Sequence, residues 1–427
     1  MTVEEAVHIS MFSKNSNKTT TAPNNGAIIW LPLWNMAWLS TTLRTERPEW
    51  VVLGFAMFSI LSLFPRWNRF LIWPALVFPL ITILSRFPQV ANHENIGVAL
   101  ILATCLGRLI GVRAESSLPS LCRYSLFFMY FWAFFHKLNQ DFLNPQVSCA
   151  NQFATDLAAQ IPFMASLDLQ SIYIPLFILA VEGLLALGIL CLRFRTLCFF
   201  LAMSLHALLV PLGFINFGVW ICFLFVAAFD LRARPLGQRN WQSFLFMIFT
   251  LLATLRGIRI DFSGLQELLN GLCILIILYT FYWLSKTSSR PQSNLLNHRI
   301  LIGFWCGFLF FFGGMNYVGL RTAGNFSMFS NVATEGLRWN HLLVPAHFKI
   351  FHYQEDLHWF KSVPPEIQKL SPEQIRPGWG TADVVIARLK TRGWTAAEPR
   401  ASYSWLELSL LHFRPVQPGQ GPQTCRW

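Results

Sequence analysis

Three ionisable side chains lie inside long apolar runs of a 427-residue chain: Lys137, Glu182 and His206. Such groups are costly in hydrocarbon surroundings, which makes them functional candidates by default. Their spacing places them in one layer. The runs carrying Glu182 and His206 meet at a tight turn, Arg193-Phe194-Arg195, and each residue stands 12 positions from Phe194. In a helical hairpin that is ~18 Å from the turn for both. Lys137 lies 14 residues beyond Arg123, which opens its run on the same side, and so reaches ~21 Å. Three separate helices therefore present an amine, a carboxyl and an imidazole at similar depth.

Burial in a low dielectric disfavours an ammonium, and this is how a lysine becomes a general base near neutral pH. His206 and Glu182 would relay protons or hydrogen-bond a ligand. A pocket walled by Phe and Trp suits a lipid-soluble aromatic molecule better than a sugar or nucleotide, and the chain has 40 Phe and 17 Trp. Each residue also has a purely structural reading. Lys137 would extend to the surface and pair with Asp141, four residues on. Glu182, protonated, would hydrogen-bond a neighbouring helix, and His206 would be a satisfied interhelical histidine. His136 is a further pocket candidate, but it points ~100° away from Lys137 around the helix and otherwise reads as an interfacial residue.

The elements that position these groups follow from composition. Hydrophobic residues make up 54% of the chain and charged residues 13%, against about 25% charged in an ordinary soluble domain. Too little polar surface remains to cover a soluble core of this size, so a lipid-facing exterior is expected. The net charge of +12 does not point to nucleic acid, because basic residues pair up at the ends of apolar runs, as at Arg66 and Arg69 or Arg232 and Arg234. Spans are expected near 28–43, 49–64, 68–86, 95–112, 121–138, 171–192, 195–211, 214–231, 241–257, 266–285 and 299–317. The first is short and carries Asn35. The fold class expected is an all-α polytopic bundle of about 10–11 transmembrane helices with a small C-terminal extracytoplasmic β or α+β domain.

Alternate connections differ in basic content. One set contains 13 Arg and Lys residues and the other 5, with none in 139–170 or 211–214. The richer set is expected to face the cytoplasm. The division is a polar N-terminal tail over 1–26, a transmembrane domain over 27–317, and an extracytoplasmic domain over 318–427. The protein is expected in a membrane of bacterial inner-membrane type, with its N-terminus cytoplasmic. No cleaved signal peptide is expected, since Met1–Asn25 lacks an apolar stretch. In the C-terminal region, His347–Tyr353 alternates polar with apolar and reads as a strand. Asp383–Lys390 and Tyr403–Phe413 are further strand candidates, and Pro415–Gln423 reads as linker. Asn17-Lys18-Thr19 and Asn325-Phe326-Ser327 fit a glycosylation acceptor. Of nine cysteines, only Cys149 and Cys425 lie clearly outside the apolar runs, both on the oxidising side, where a disulfide can form. No CxxC spacing occurs, and no metal site is expected.

The run Tyr130-Phe131-Trp132-Ala133-Phe134-Phe135-His136-Lys137-Leu138-Asn139-Gln140-Asp141-Phe142 resembles the signature of the HTTM (horizontally transferred transmembrane) domain family, which includes vitamin K-dependent gamma-carboxylase. The signature is an aromatic helix ending in a Lys-Leu step, followed after two residues by Asp and an aromatic. Pro145, Ser148-Cys149-Ala150, His206 ahead of Phe214–Gly218, and the strip Gly319–Leu343 continue the similarity. The resemblance implies that Lys137 deprotonates a quinol-type cofactor such as vitamin K hydroquinone. It further implies that oxygen and carbon dioxide are co-substrates in a carboxylation, and that His206 is a pocket residue. Two departures stand out. The carboxylase has a second lysine where this chain has His136, and its extracytoplasmic region is much larger than 318–427. The partners expected are the lipid bilayer and a peptide or small-molecule substrate. Two other classes stay open: a non-catalytic lipid- or quinone-binding or scaffolding membrane protein, and a transporter.

Overall fold

The computed structural model describes residues 30–43, 48–84, 92–112, 114–161, 166, 168–229, 240–259, 264–286, 296–320, 325–327, 329–332, 334 and 339–351. Among them are thirteen α-helices and no named strand. The helices are α1 (Trp30–Thr41), α2 (Glu49–Ser62), α3 (Pro65–Leu84), α4 (Asn92–Leu109), α5 (Ala114–His136), α6 (Gln140–Leu143), α7 (Cys149–Ala158), α8 (Tyr173–Leu190), α9 (Arg195–Leu209), α10 (Ile215–Ala228), α11 (Asn240–Gly257), α12 (Leu265–Lys286) and α13 (Leu296–Gly314). Each of the eleven apolar runs expected from the sequence is a helix. The short α6 and α7 are additions, both within the 139–170 connection.

The centre of the bundle is α10. All fourteen of its residues are buried, and it packs against α1, α5, α9 and α12. Its sequence, INFGVWICFLFVAA, is apolar all round, as a helix enclosed on every side must be. The outer helices invert the usual order, with large apolar side chains facing outward. Examples are Leu53 and Met57 of α2, Phe70 and Ile81 of α3, and Leu184 and Leu187 of α8, the last 72% exposed. Among the described residues, α8 is the one helix both long and apolar enough to cross a membrane. Shorter apolar helices include α2, α9 and α10. At 14 or 15 residues these rise only ~21–23 Å, short of the ~30 Å hydrocarbon layer.

The hairpin of α8 and α9 closes over a 3₁₀ turn at Leu192–Phe194. The two helices come so close there that a Cβ on Gly188 would lie 2.4 Å from Cys198 Sγ. Arg123 of α5 donates from Nε to Ile189 O at 3.2 Å and from Nη2 to Leu190 O. These are end carbonyls of α8, which have no partner within the helix. The guanidinium thereby ties α5 to α8 at the turn end of the hairpin and sets how the two helices slide past one another.

Past α13 the chain turns back onto the end of α5. One sequence expectation fails here over its described part. His347–Tyr353 is not a strand over its described part: Ala346–Phe348 is a 3₁₀ turn following Pro345, and Ile350 N and Phe351 N both bond Val318 O. Alternation alone makes no strand without a partner edge, and the sole bridge among the described residues joins Asn139 to His341. The described residues between 318 and 351 include no named strand, and the rest of the expected β or α+β domain, 352–427, lies outside the described residues. The strand candidates Asp383–Lys390 and Tyr403–Phe413, the linker Pro415–Gln423, Asn17-Lys18-Thr19, the tail 1–26 and Cys425 lie outside the described residues.

Candidate functional site

Along α5, residues 130, 133 and 137 recur at i, i+3 and i+7, which places them on one face. That face meets α8 and α9 across a cavity of about 100 Å³. Lys137, Glu182 and His206 all line it, with Tyr130, Phe142 and Phe329 among the walls. Lys137 Nζ donates to Glu182 Oε1 at 2.8 Å and to Ala133 O at 3.5 Å. The ammonium also sits 5.8 Å from the centroid of the Phe142 ring, within reach of a cation–π attraction. Lys137 is 4% exposed and Glu182 7%. The alternative in which Lys137 reaches out to the surface does not hold: its side chain is buried and meets the Glu182 carboxylate inside the bundle.

His206 Nε2 and the Tyr130 hydroxyl share a hydrogen bond of 3.1 Å. The His206 ring stacks at 6.0 Å and 3° on Phe217 of α10. Two buried polar atoms on this cavity have no hydrogen-bond partner, Glu182 Oε2 and His206 Nδ1. A buried polar group without a partner costs free energy.

His136 does not share the cavity. Its ring stacks on Trp132 at 5.2 Å, and its Nδ1 is 2.8 Å from the Tyr317 hydroxyl. This side of α5 is packed so tightly that a Cβ on Gly313 would lie 2.1 Å from Trp132 Cδ1. About 100° around the helix axis thus separates a residue facing free volume from one in a filled aromatic stack.

The segment after Lys137 is held by asparagines. Asn139 is fully buried. Its Oδ1 accepts from Phe142 N at 2.8 Å, capping α6, while its Nδ2 donates to His136 O at 2.7 Å and Ser330 O at 2.5 Å. Asn340 donates to Asp141 Oδ2 at 2.8 Å and Asn331 O at 2.7 Å. Asn331 accepts from Cys149 N at 2.8 Å and donates to Val147 O at 2.9 Å. The strip from 325 to 344 therefore clamps the start of the 139–170 connection. It brings Phe329 to the cavity wall at a left-handed φ of 52°, a conformation a phenylalanine holds only when its surroundings impose it. Cys149, next to Asn331 in this clamp, is disulfide-bonded.

His341 belongs to the same clamp and lies beyond the helical bundle. Its Nε2 faces Phe135 O at 2.9 Å, and its Nδ1 accepts from Leu343 N and Val344 N at 3.2 and 3.0 Å. A carbonyl only accepts, so Nε2 carries the proton. Burial lowers the imidazole pKa from its ordinary 6.5, partly opposed by the bond to Phe135.

Tyr130, Phe142 and Phe329 lie in the stretches that carry the family resemblance, but the sequence alone does not place them on the cavity wall. Tyr130 has a further signal, seven positions before Lys137 on the same face. Only the fold brings Phe329 back from nearly two hundred residues downstream. Among the described residues no group of three or more His, Cys, Asp or Glu side chains is placed to hold a metal. No family model, no curated protein and no solved structure matches the chain.

Proposed function

We propose that the chain is a multi-pass membrane protein acting on a lipid-soluble, quinol-type molecule, with the Lys137–Glu182 pair as proton acceptor. The observation that carries this reading is the 2.8 Å contact between Lys137 Nζ and Glu182 Oε1 on the wall of an otherwise largely apolar cavity. The outward-facing apolar side chains of α2, α3, α8 and α13 support the membrane setting. Basic residues concentrated in alternate connections support a cytoplasmic N-terminus and an extracytoplasmic C-terminal region.

An apolar cavity of ~150 Å³ takes up benzene, and this one has about 100 Å³. Even a single-ring head group therefore requires its lining to give way. A quinol would supply an ionisable ring hydroxyl and reducing electrons. The protein's own groups account for the proton. The resting pair is an ammonium and a carboxylate, neutral as a unit. On uptake of one proton Glu182 becomes the acid and Lys137 stays an ammonium, leaving positive charge at Nζ to face a developing oxyanion. Lys137 and Glu182 thus act together, where the sequence alone points to Lys137 as the base. Tyr130, on the same face as Lys137, and His206, hydrogen-bonded to Tyr130, orient the ring. Carboxylation with carbon dioxide is the finer form of the proposal and is carried by the resemblance of residues 130–142.

A second reading, a non-catalytic quinone- or lipid-binding protein, is favoured by the engagement of Lys137 Nζ with both Glu182 and the Ala133 carbonyl. One experiment separates the two. Binding of labelled 2,6-dimethyl-1,4-benzoquinone and oxidation of its quinol by dissolved oxygen above background are measured on detergent-purified wild type and Lys137→Met. The first reading expects both proteins to bind and the variant to lose at least ~100-fold in oxidation. Oxidation that persists in the variant removes the lysine from the chemistry. Binding without oxidation in either protein establishes the second reading, and no binding by either overturns both.

A further inference from the structure

Cys149 takes part in a disulfide, and a count narrows its partner to one residue. The chain has nine cysteines. Seven of them, from Cys105 on α4 to Cys306 on α13, are free. The one cysteine left is Cys425, which lies outside the described residues.

The placement of the described thiols agrees with this pairing. Cys191 ends α8 at the turn of the α8–α9 hairpin, where it is exposed and free. Cys149 sits toward the other end of α8, because Asn151 Nδ2 donates to Leu169 O and Ser171 O, both at 2.9 Å, just before that helix begins. The charge pattern expects the hairpin turn on the cytoplasmic side and the 139–170 connection on the other. An exposed free thiol therefore falls on the reducing side and the bonded one on the oxidising side.

Cys149 opens α7. Ser148 gives that helix no side-chain cap, and Asn331 Oδ1 accepts from Cys149 N at 2.8 Å instead. The Cys149 side chain is buried beside Phe142 and Leu179. Further along α7, Ala150 and Phe153 line the Lys137 cavity. Whatever holds Cys149 in place therefore holds one wall of that cavity.

We propose that Cys149 is bonded to Cys425 of the same chain, and that this link braces the α7 wall of the Lys137 cavity. The bond forms by exchange with an external disulfide. One cysteine thiolate attacks it and releases a thiol, and the second thiolate then displaces the other half as a second thiol. The two cysteines are oxidised, and the external disulfide carries away both electrons and both protons. The inference does not depend on chemistry at Lys137.

The test begins with wild-type protein unfolded in the presence of N-ethylmaleimide and cut with trypsin without reductant. No Lys or Arg lies between Lys137 and Arg193, and Pro415 protects the bond after Arg414, so the two cysteines fall in peptides 138–193 and 401–426. One linked pair of these peptides is expected, with fragmentation placing the bond at Cys149 and the maleimide on Cys191. Reduction separates the pair, and Cys425→Ser lacks it. A Cys149 that carries maleimide or a small thiol overturns the pairing. So does a reductant-sensitive dimer on gels, which puts the bond between two copies. The brace is read by amide exchange in Cys425→Ser, which leaves the buried Cys149 position intact. Exchange over 145–158 is expected to quicken roughly tenfold while α2 and α3 keep wild-type rates. Unchanged exchange over 145–158, or quickening spread evenly through the bundle, overturns the brace.

Discussion

His136 and Lys137 are consecutive residues at the end of one helix, and their surroundings differ in almost every respect. His136 stacks between Trp132 and Tyr317 in a region where Gly313 has no room for a methyl group. Lys137 faces about 100 Å³ of free volume across from His206, with its charge met by one carboxylate from another helix. The packed face fixes the helix, and the open face keeps an ion pair within reach of a ligand. A structural histidine and a functional lysine can therefore be adjacent, because one turn of helix supplies both a foundation and a site.

The largest effect expected on the open face comes from breaking the pair. Glu182→Leu leaves a buried ammonium without its carboxylate and is expected to cost ~3–5 kcal/mol in a denaturant titration. Adding Lys137→Met should restore most of that loss, since removing both charges is often close to neutral. If the double variant is no more stable than the single, the pair is not what the charge depends on.

Next is the packed face. Gly313→Ala forces a methyl against Trp132 and is expected to cost ~1–3 kcal/mol while leaving quinone affinity unchanged. Ala133→Leu, on the open face, should do the reverse by filling the cavity and abolishing binding at little cost in stability. Equal effects of both substitutions on binding would erase the distinction between the faces. Asn139→Ala removes a helix cap and two buried donations from the clamp. A loss of ~2 kcal/mol is expected, together with faster amide exchange across 139–149.

The smallest effect is a pH dependence in the clamp. The folded state holds His341 neutral with its pKa below 6.5, so protonation favours release. The stability His341 contributes is complete above pH 6.5 and falls as pH drops toward the folded value. Amide exchange over 339–344 should quicken in that window and not above it. His341→Phe should abolish the dependence.

Much of this arrangement was legible in the sequence. Eleven apolar runs gave eleven helices, because continuous hydrophobicity with few charges leaves the backbone little alternative. The shared depth of Lys137, Glu182 and His206 followed from counting residues back to one turn, and the hairpin geometry preserves such counts. The Lys137–Glu182 contact itself was not legible, since depth says nothing about rotation around each helix. The asparagine clamp was hidden for a different reason. Asn139, Asn331 and Asn340 are polar residues in connections, a pattern that ordinarily reads as solvent-exposed loop, and only the return of the chain after α13 buries them. His347–Phe351 misled because alternation is a property of a strand's environment, and among the described residues no neighbouring edge pairs with it.

The most direct test of a Lys137–Glu182 unit that takes up a proton is an infrared difference spectrum recorded as 2,6-dimethylhydroquinone is added to the purified protein. The account predicts a new protonated-carboxyl stretch in wild type that is absent from Glu182→Gln and altered in Lys137→Met. A spectrum with no carboxyl change, or one retained in Glu182→Gln, would contradict it.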